Sequence, residues 1–133
     1  MKKTITVTIE RNEDAFFAYT AQIDGCTAGG FTFDEVKTNI EEMIGLCIDK
    51  DMSLAKEYSR GYRLNFEVDL GSVFKLLPEV NISSLAKLAG MNPGLLRQYA
   101  SGAKRASEEQ AGKINMAIST LANKLNSLRL TGW

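Results

Sequence analysis

The sequence contains no histidine, which removes the side chain that most often serves as a general base near neutral pH and most often ligates metals. It has two cysteines, Cys26 and Cys47, too few for a disulfide framework. Cys47 falls on an apolar stripe, and Cys26 has no histidine or neighbouring cation to lower its pKa, so neither reads as a nucleophile. No apolar run approaches the roughly 18 residues of a membrane span, so no membrane partner is expected. The opening MKKTITVTIERNED has two lysines but no apolar stretch before its first acids, so no signal peptide is expected and the expected compartment is the cytoplasm. Net charge is also missing, because 16 Lys and Arg balance 16 Asp and Glu.

That neutrality is a cancellation between two halves. Residues 1–70 hold 8 Lys/Arg against 13 Asp/Glu, a balance of −5, and residues 71–133 hold 8 against 3, a balance of +5. A basic half suits a polyanion, whereas an acidic half repels one and suits a basic protein surface. At 133 residues, 44% apolar and 24% charged, the chain can bury one ordinary core or two small ones. We place two domains at 1–70 and 71–133.

Thr4 to Glu10 alternates Ile5, Val7 and Ile9 with polar residues, the period of a half-buried strand. After a polar turn at Arg11 to Asp14, Ala15 to Ile23 reads as its hairpin partner, with Phe17, Tyr19, Ala21 and Ile23 gathered on one face. Asp24-Gly25 marks a turn, and Cys26 to Phe31, broken by Gly29 and Gly30, sits where a third antiparallel strand would complete a meander. Thr32 followed by Glu35 is a capping box, and Val36, Ile40, Met43, Ile44, Cys47 and Ile48 recur at helical spacing behind it. Asp51 to Arg63 is polar and reads as a surface connection, after which Leu64, Phe66, Val68 and Leu70 alternate as a fourth strand. The expected order is βββαβ, followed by an all-α domain, which makes the fold class α+β.

The second half is organised around Ile82 to Ser107. Ile82, Leu85, Ala86 and Ala89 form one apolar stripe on a first short helix, which Gly90 can end in the left-handed conformation. Asn92 suits an N-cap and Pro93 the first helical position, so a second helix runs to Ser101 and stops at Gly102. Leu96 and Tyr99 face inward, with Leu95 alongside. Gly94, Arg97, Gln98 and Ser101 share the opposite face by steps of three and four. Two helices joined this way with a polar outer face are a helix-turn-helix, and that face is the one a recognition helix lays in a major groove. Arginine can bond guanine and glutamine adenine in bidentate fashion, while Lys104 and Arg105 just beyond the helix are placed for phosphates. We therefore assign Asn92, Gly94, Arg97, Gln98, Ser101, Lys104 and Arg105 to DNA. Before this pair, Val73, Phe74 and Leu77 predict a short helix ended near Pro78. After it, Ser107 and Gln110 form a second capping box, and Ile114, Ile118, Leu121, Leu125 and Leu128 make the longest stripe. Part of that stripe, nominated at Ile118, Leu121 and Leu125, could form a seam between two copies, which would then read an inverted repeat.

Nuclease chemistry needs several carboxylates converging on metal ions about 4 Å apart. Glu10, Asp24, Asp34, Glu35, Glu41 and Glu42 fall at strand ends, turns, a helix start and a solvent face, so no catalysis, metal or cofactor is expected.

The segment AKLAGMNPGLLRQYASGAKRASEEQAGKI resembles the C-terminal repressor-type helix-turn-helix of HicB-family antitoxins, in which Ala-x-x-Ala-Gly, Asn-Pro, Leu-Arg-Gln-Tyr, Ser-Gly and Pro/Ala-Ser follow in this order. The first half resembles the HicB N-terminal domain, a degenerate RNase H-like fold. Gly25, Cys26, Thr32, Glu35, Asn39 and Ile40 match, although the family's prolines before Gly25 are absent and Phe31 replaces the acid before Thr32. The resemblance implies an antitoxin of a type II toxin–antitoxin pair, whose N-terminal domain blocks a small HicA-like RNase toxin and whose C-terminal domain binds operator DNA. An acidic domain docked on a basic RNA-cleaving surface would exclude RNA. Asp24, Asp34, Glu41 and Glu42 are the toxin-facing residues we nominate. The runner-up is a ligand- or protein-responsive transcription regulator outside any such pair, and a nuclease with a DNA-targeting domain comes third.

Overall fold

The computed structural model describes residues 2–132. Among these the chain is α+β, with a four-stranded mixed sheet and six helices. It divides into two compact units, Met1–Ser72 and Val73–Trp133. No helix among the described residues is long and apolar enough to cross a membrane.

In the first unit β1 (Lys3–Asn12), β2 (Ala15–Tyr19) and β3 (Thr27–Gly30) form an antiparallel meander, and β4 (Tyr62–Val68) returns parallel to β1, giving the order β3-β2-β1-β4. A parallel return requires a crossover. α1 (Phe33–Lys50) and α2 (Met52–Glu57) supply it. Ile5, Val7 and Ile9 are buried and pair with Leu64, Phe66 and Val68 of β4. α1 buries Val36, Ile40, Ile44 and Ile48, each contributing about 1.5–3 kcal/mol of apolar transfer.

The inward face of β2 is Phe16 and Ala18, while Phe17 and Tyr19 of the other phase are 44% and 36% exposed. The register decides this, because Ile9 stands opposite Ala18 and Arg11 opposite Phe16. Ile23 is buried all the same, since β2 ends at Tyr19 and the alternation no longer binds it. The Gln22 side chain stands in for the next strand residue: it accepts from the Thr6 amide at 2.7 Å and donates to the Thr4 carbonyl at 3.1 Å, so those β1 groups are paired.

Thr32 caps α1, its hydroxyl accepting from the Glu35 amide at 3.2 Å. Glu35 reaches back one residue further than a standard capping box, accepting from the Phe31 amide at 2.8 Å. Asn39 donates to the Gly29 carbonyl at 2.8 Å. The Asn39 bond fastens α1 to β3 and the Glu35 bond holds the residue that follows it, and at this close approach a glycine is needed at 30, where a Cβ would lie 2.8 Å from the Val36 backbone nitrogen. The 51–63 stretch is more than a connection. Asp51 donates its own amide to Ile48 at the end of α1, and its carboxylate accepts from Ser53 and Leu54 to start α2. Six residues are too few to show a helical period. Leu70, read as strand, instead opens α3 (Leu70–Leu76), which carries the unit boundary.

In the second unit α4 (Ile82–Ala89), α5 (Pro93–Ser101) and α6 (Glu108–Ser127) bury Leu85, Ala86, Leu96, Tyr99, Ile114 and Ala117. Ser107 caps α6 through the Gln110 amide at 3.2 Å. The α6 stripe is graded: Ile114 is in the core, Ile118 and Leu121 are half-buried, and Leu125 and Leu128 are exposed.

Two glycines separate steric need from helix propensity. Gly30→Ala is expected to destabilise the protein by about 1–3 kcal/mol through overpacking. Gly45→Ala, with nothing within 4 Å of the added Cβ, is expected to stabilise it by about 0.5–1 kcal/mol. Urea unfolding of the two variants checks both signs.

Candidate functional site

The turn between α4 and α5 is fixed by backbone bonds. Gly90 adopts φ 69° and ψ 36°, its amide donates to Lys87, and the Met91 amide donates to Ala86 at 2.9 Å, with Met91 itself buried. This is a Schellman closure, which satisfies the last carbonyls of α4 and turns the chain sharply. Asn92 then caps α5: its side-chain oxygen accepts from the Gly94 amide at 2.7 Å and from Leu95 at 3.4 Å, ahead of Pro93 at the first helical position. Asn81 caps α4 in the same way through the Ser84 amide at 2.9 Å. Leu96 and Tyr99 hold α5 to the core.

Gly94, Arg97, Gln98 and Ser101 are all exposed. The Arg97 guanidinium donates through Nη2 to the Ser83 hydroxyl of α4. That bond uses one of five donors, so it orients the group and leaves the remainder of the fork free. The Ser101 hydroxyl is turned back on the helix end, donating to the Gln98 carbonyl at 3.2 Å and accepting from the Ala103 amide at 3.4 Å. Gly102, at φ 83°, reverses the chain, and the Lys104 amide donates to the Gln98 carbonyl at 3.2 Å. Lys104 is thereby brought back beside Gln98, and Arg105 follows it, both exposed. Among the described residues the ion pair present is Lys3–Glu57 at 3.6 Å, in the first unit. Among the described residues, Arg97 in the middle of α5 and Lys104 and Arg105 just beyond it are thus cations without a carboxylate partner within ion-pair distance.

The four nominated carboxylates of the first unit are exposed. Asp34, Glu41 and Glu42 are spaced by seven and eight residues along α1 and share its outer side, whereas Asp24 lies apart in the turn between β2 and β3. Glu41 also lines a groove between α1 and β4 with Phe33, Lys37, Tyr62, Leu64 and Phe66. Burial, then Asp49, then Glu41, push the Tyr62 hydroxyl above its ordinary pKa. Burial, and next the Cys47 thiol beside it, push the Cys26 thiol up to about 12, so Cys26 is protonated at neutral pH. No group of three or more metal-ligating side chains occurs among the described residues.

Ser83 was not legible as a partner of Arg97. The two are fourteen residues apart on different helices, and no local spacing links them. Asn81 was legible in principle, being an asparagine directly before an apolar helical stripe.

No protein-family model, curated protein or solved structure matches the chain.

The Asn92 cap carries a direct expectation. Asn92→Ala removes the acceptor for two amides and is expected to cost about 1 kcal/mol of stability, whereas Asn92→Gly should cost a few tenths. Denaturant titration of the two variants distinguishes a capping role from a role confined to a ligand.

Proposed function

We propose that the protein is an antitoxin similar to the HicB family. In this reading the first unit is a degenerate RNase H-like domain that docks on a small HicA-like RNase toxin, and the second is a helix-turn-helix that binds operator DNA in the cytoplasm. The observation that carries the proposal is the outer face of α5, where Arg97 and Gln98 face outward on a doubly capped helix and Lys104 is folded back beside Gln98. Base-edge donors and a phosphate-binding cation are thus presented together. The strand and helix order of the first unit, with its exposed carboxylates along α1, supports the toxin-facing role by charge complementarity to an RNA-binding surface. This reading assigns the chain no catalysis of its own.

Roles follow for the individual residues. Arg97 reads a base edge and Ser83 positions it. Gln98 reads a second base, and Gly94 lets the helix start approach the duplex. Asn92 and Ser101 hold the two ends of α5 in shape. Lys104 and Arg105 meet phosphates. A two-fold protein would read an inverted repeat with half-sites about 34–36 Å apart. The exposed Leu125, continuing from half-buried Ile118 and Leu121, supports α6 as a seam between two copies.

The proposal is tested by fluorescence anisotropy on the DNA upstream of the coding sequence, against unrelated DNA, across a salt series. Arg97→Ala is expected to lose roughly 5- to 150-fold in discrimination, equivalent to about 1–3 kcal/mol. Lys104→Ala should weaken both DNAs alike and lower the salt slope by about one. If Arg97→Ala leaves sequence preference intact, the recognition-helix reading is wrong. The toxin-facing role predicts that the neighbouring gene encodes a small basic RNase and that the full chain co-purifies with it. Asp34→Lys combined with Glu42→Lys should weaken that complex on the order of tenfold, mainly through the association rate. Absence of any such complex would favour a ligand-responsive regulator.

A further inference from the structure

The sheet of the first unit has two ends, and they differ. At one end β3 is four residues long and contains two glycines. At the other, β4 is seven residues, Tyr62–Val68, and pairs with a strand only on its β1 side. An edge of that length with no strand paired to it is a template for another strand, and proteins often blunt it with proline, a bulge, an inward-pointing charge or charges along the edge. β4 has no proline and no inward-pointing charge, its register with β1 is unbroken, and its two charges, Arg63 and Glu67, are of opposite sign on the solvent face. Its helix-side residues Tyr62, Leu64, Phe66 and Val68 are all apolar or aromatic and half-buried, and they continue into the groove beside Phe33 of α1.

We infer that β4 pairs antiparallel with β4 of a second copy, about a two-fold axis through Asn65. The argument is the order of side chains in Tyr-Arg-Leu-Asn-Phe-Glu-Val. Antiparallel pairing centred on Asn65 puts Arg63 opposite Glu67 of the second copy and Glu67 opposite its Arg63, so two opposite-charge pairs form on the solvent face. The same centre puts Leu64 opposite Phe66, and Tyr62 opposite Val68, on the helix side. A two-fold axis normal to the sheet keeps both α1 helices on one face, and residues directly opposite each other point the same way, so the centre must fall on a residue. Moving it to Leu64 sets Arg63 opposite Asn65 and Glu67 opposite Gly61, and moving it to Phe66 sets Glu67 opposite Asn65 and Arg63 opposite Asp69, which lies past the end of the strand at Val68, so only the centre on Asn65 pairs both charges within β4. Within one copy, the β1 neighbours of Arg63 and Glu67 are Thr4 and Thr8, which are neutral. The charges are therefore available to a partner. The product is a continuous eight-stranded sheet with no long free edge, and it is independent of any seam on α6 and of the proposed DNA binding.

The test reads this seam alone, in the full chain. Asn65→Cys places a thiol on the axis, where the two Cα atoms would lie about 4.5–5.5 Å apart, within disulfide range. Copper-phenanthroline, as the oxidant, should convert most of this variant to a covalent dimer on a non-reducing gel. Arg63→Cys alone and Glu67→Cys alone should not cross-link, because each thiol would sit about 13 Å along the strand from its own copy, but an equal mixture of the two should. Added to Asn65→Cys, Arg63→Glu or Glu67→Arg should lower the cross-linked yield several-fold, and mixing those two charge variants should restore it. The native thiols give the background, which is measured on the unmodified chain. Equal cross-linking of Asn65→Cys and Arg63→Cys, or a yield indifferent to the charge reversals, would overturn the pairing.

Discussion

One helix has to cover a four-stranded sheet, and most of the first unit follows from that constraint. α1 offers a single stripe of Val36, Ile40, Ile44 and Ile48, so only one face of the sheet can be dry. β1 places Ile5, Val7 and Ile9 on it, and β2 must then turn Phe16 and Ala18 inward whatever the appeal of its larger aromatics. Phe17 and Tyr19 stand on the solvent face, where the Tyr19 hydroxyl donates to Glu10 at 3.1 Å. The helix is seated close to β3, through Asn39 and the missing side chain of Gly30. On the β4 side it leaves a groove and only half-buried strand residues. An asymmetric cover thus accounts for both the closed end and the open edge of one sheet.

The second unit solves a different problem. α4 and α5 have eight and nine residues, shorter than isolated helices that persist in water. Their ends are correspondingly well satisfied: each has an asparagine cap at its start and a left-handed glycine at its finish. Fixed ends are also what a presented side chain requires. Arg97 is held by Ser83 across the turn, and Gln98 by position on a helix whose inner face is locked by Leu96 and Tyr99. Capping stabilises the element and limits the directions its outward residues can take.

Charge is kept out of both cores and sorted between units. The only buried polar or charged residues among those described are Thr20 and Ser72, so the opposed balances of −5 and +5 are surface properties. Charges spread this way contribute little to stability, since exposed pairs are worth about 0–1 kcal/mol. They govern association instead, through long-range fields that salt weakens. A neutral chain with segregated halves therefore has two electrostatically distinct surfaces to offer, and its overall isoelectric point describes neither.

How much of this architecture is legible in the sequence follows from the range of the forces involved. Caps, glycine stops and apolar stripes act within one turn of chain, and Thr32, Gly90, Asn92, Gly102 and Ser107 all occupy the places their chemistry indicated. Alternation in β2 announced two faces but could not say which was inside, because that is settled by register against β1, a partner in another segment. α2 was hidden by its length, and its cap at Asp51 looked like an ordinary polar residue in a polar stretch. The α6 stripe was visible along its whole length. The gradient from buried Ile114 to exposed Leu125 was not, since burial is decided by packing against other segments. Arg97 was identified by its outward phase on α5, whereas Ser83, which orients it, lies on another helix. A local pattern can therefore say which side of a helix a residue faces, but the residue that orients it has to be found by contact in three dimensions.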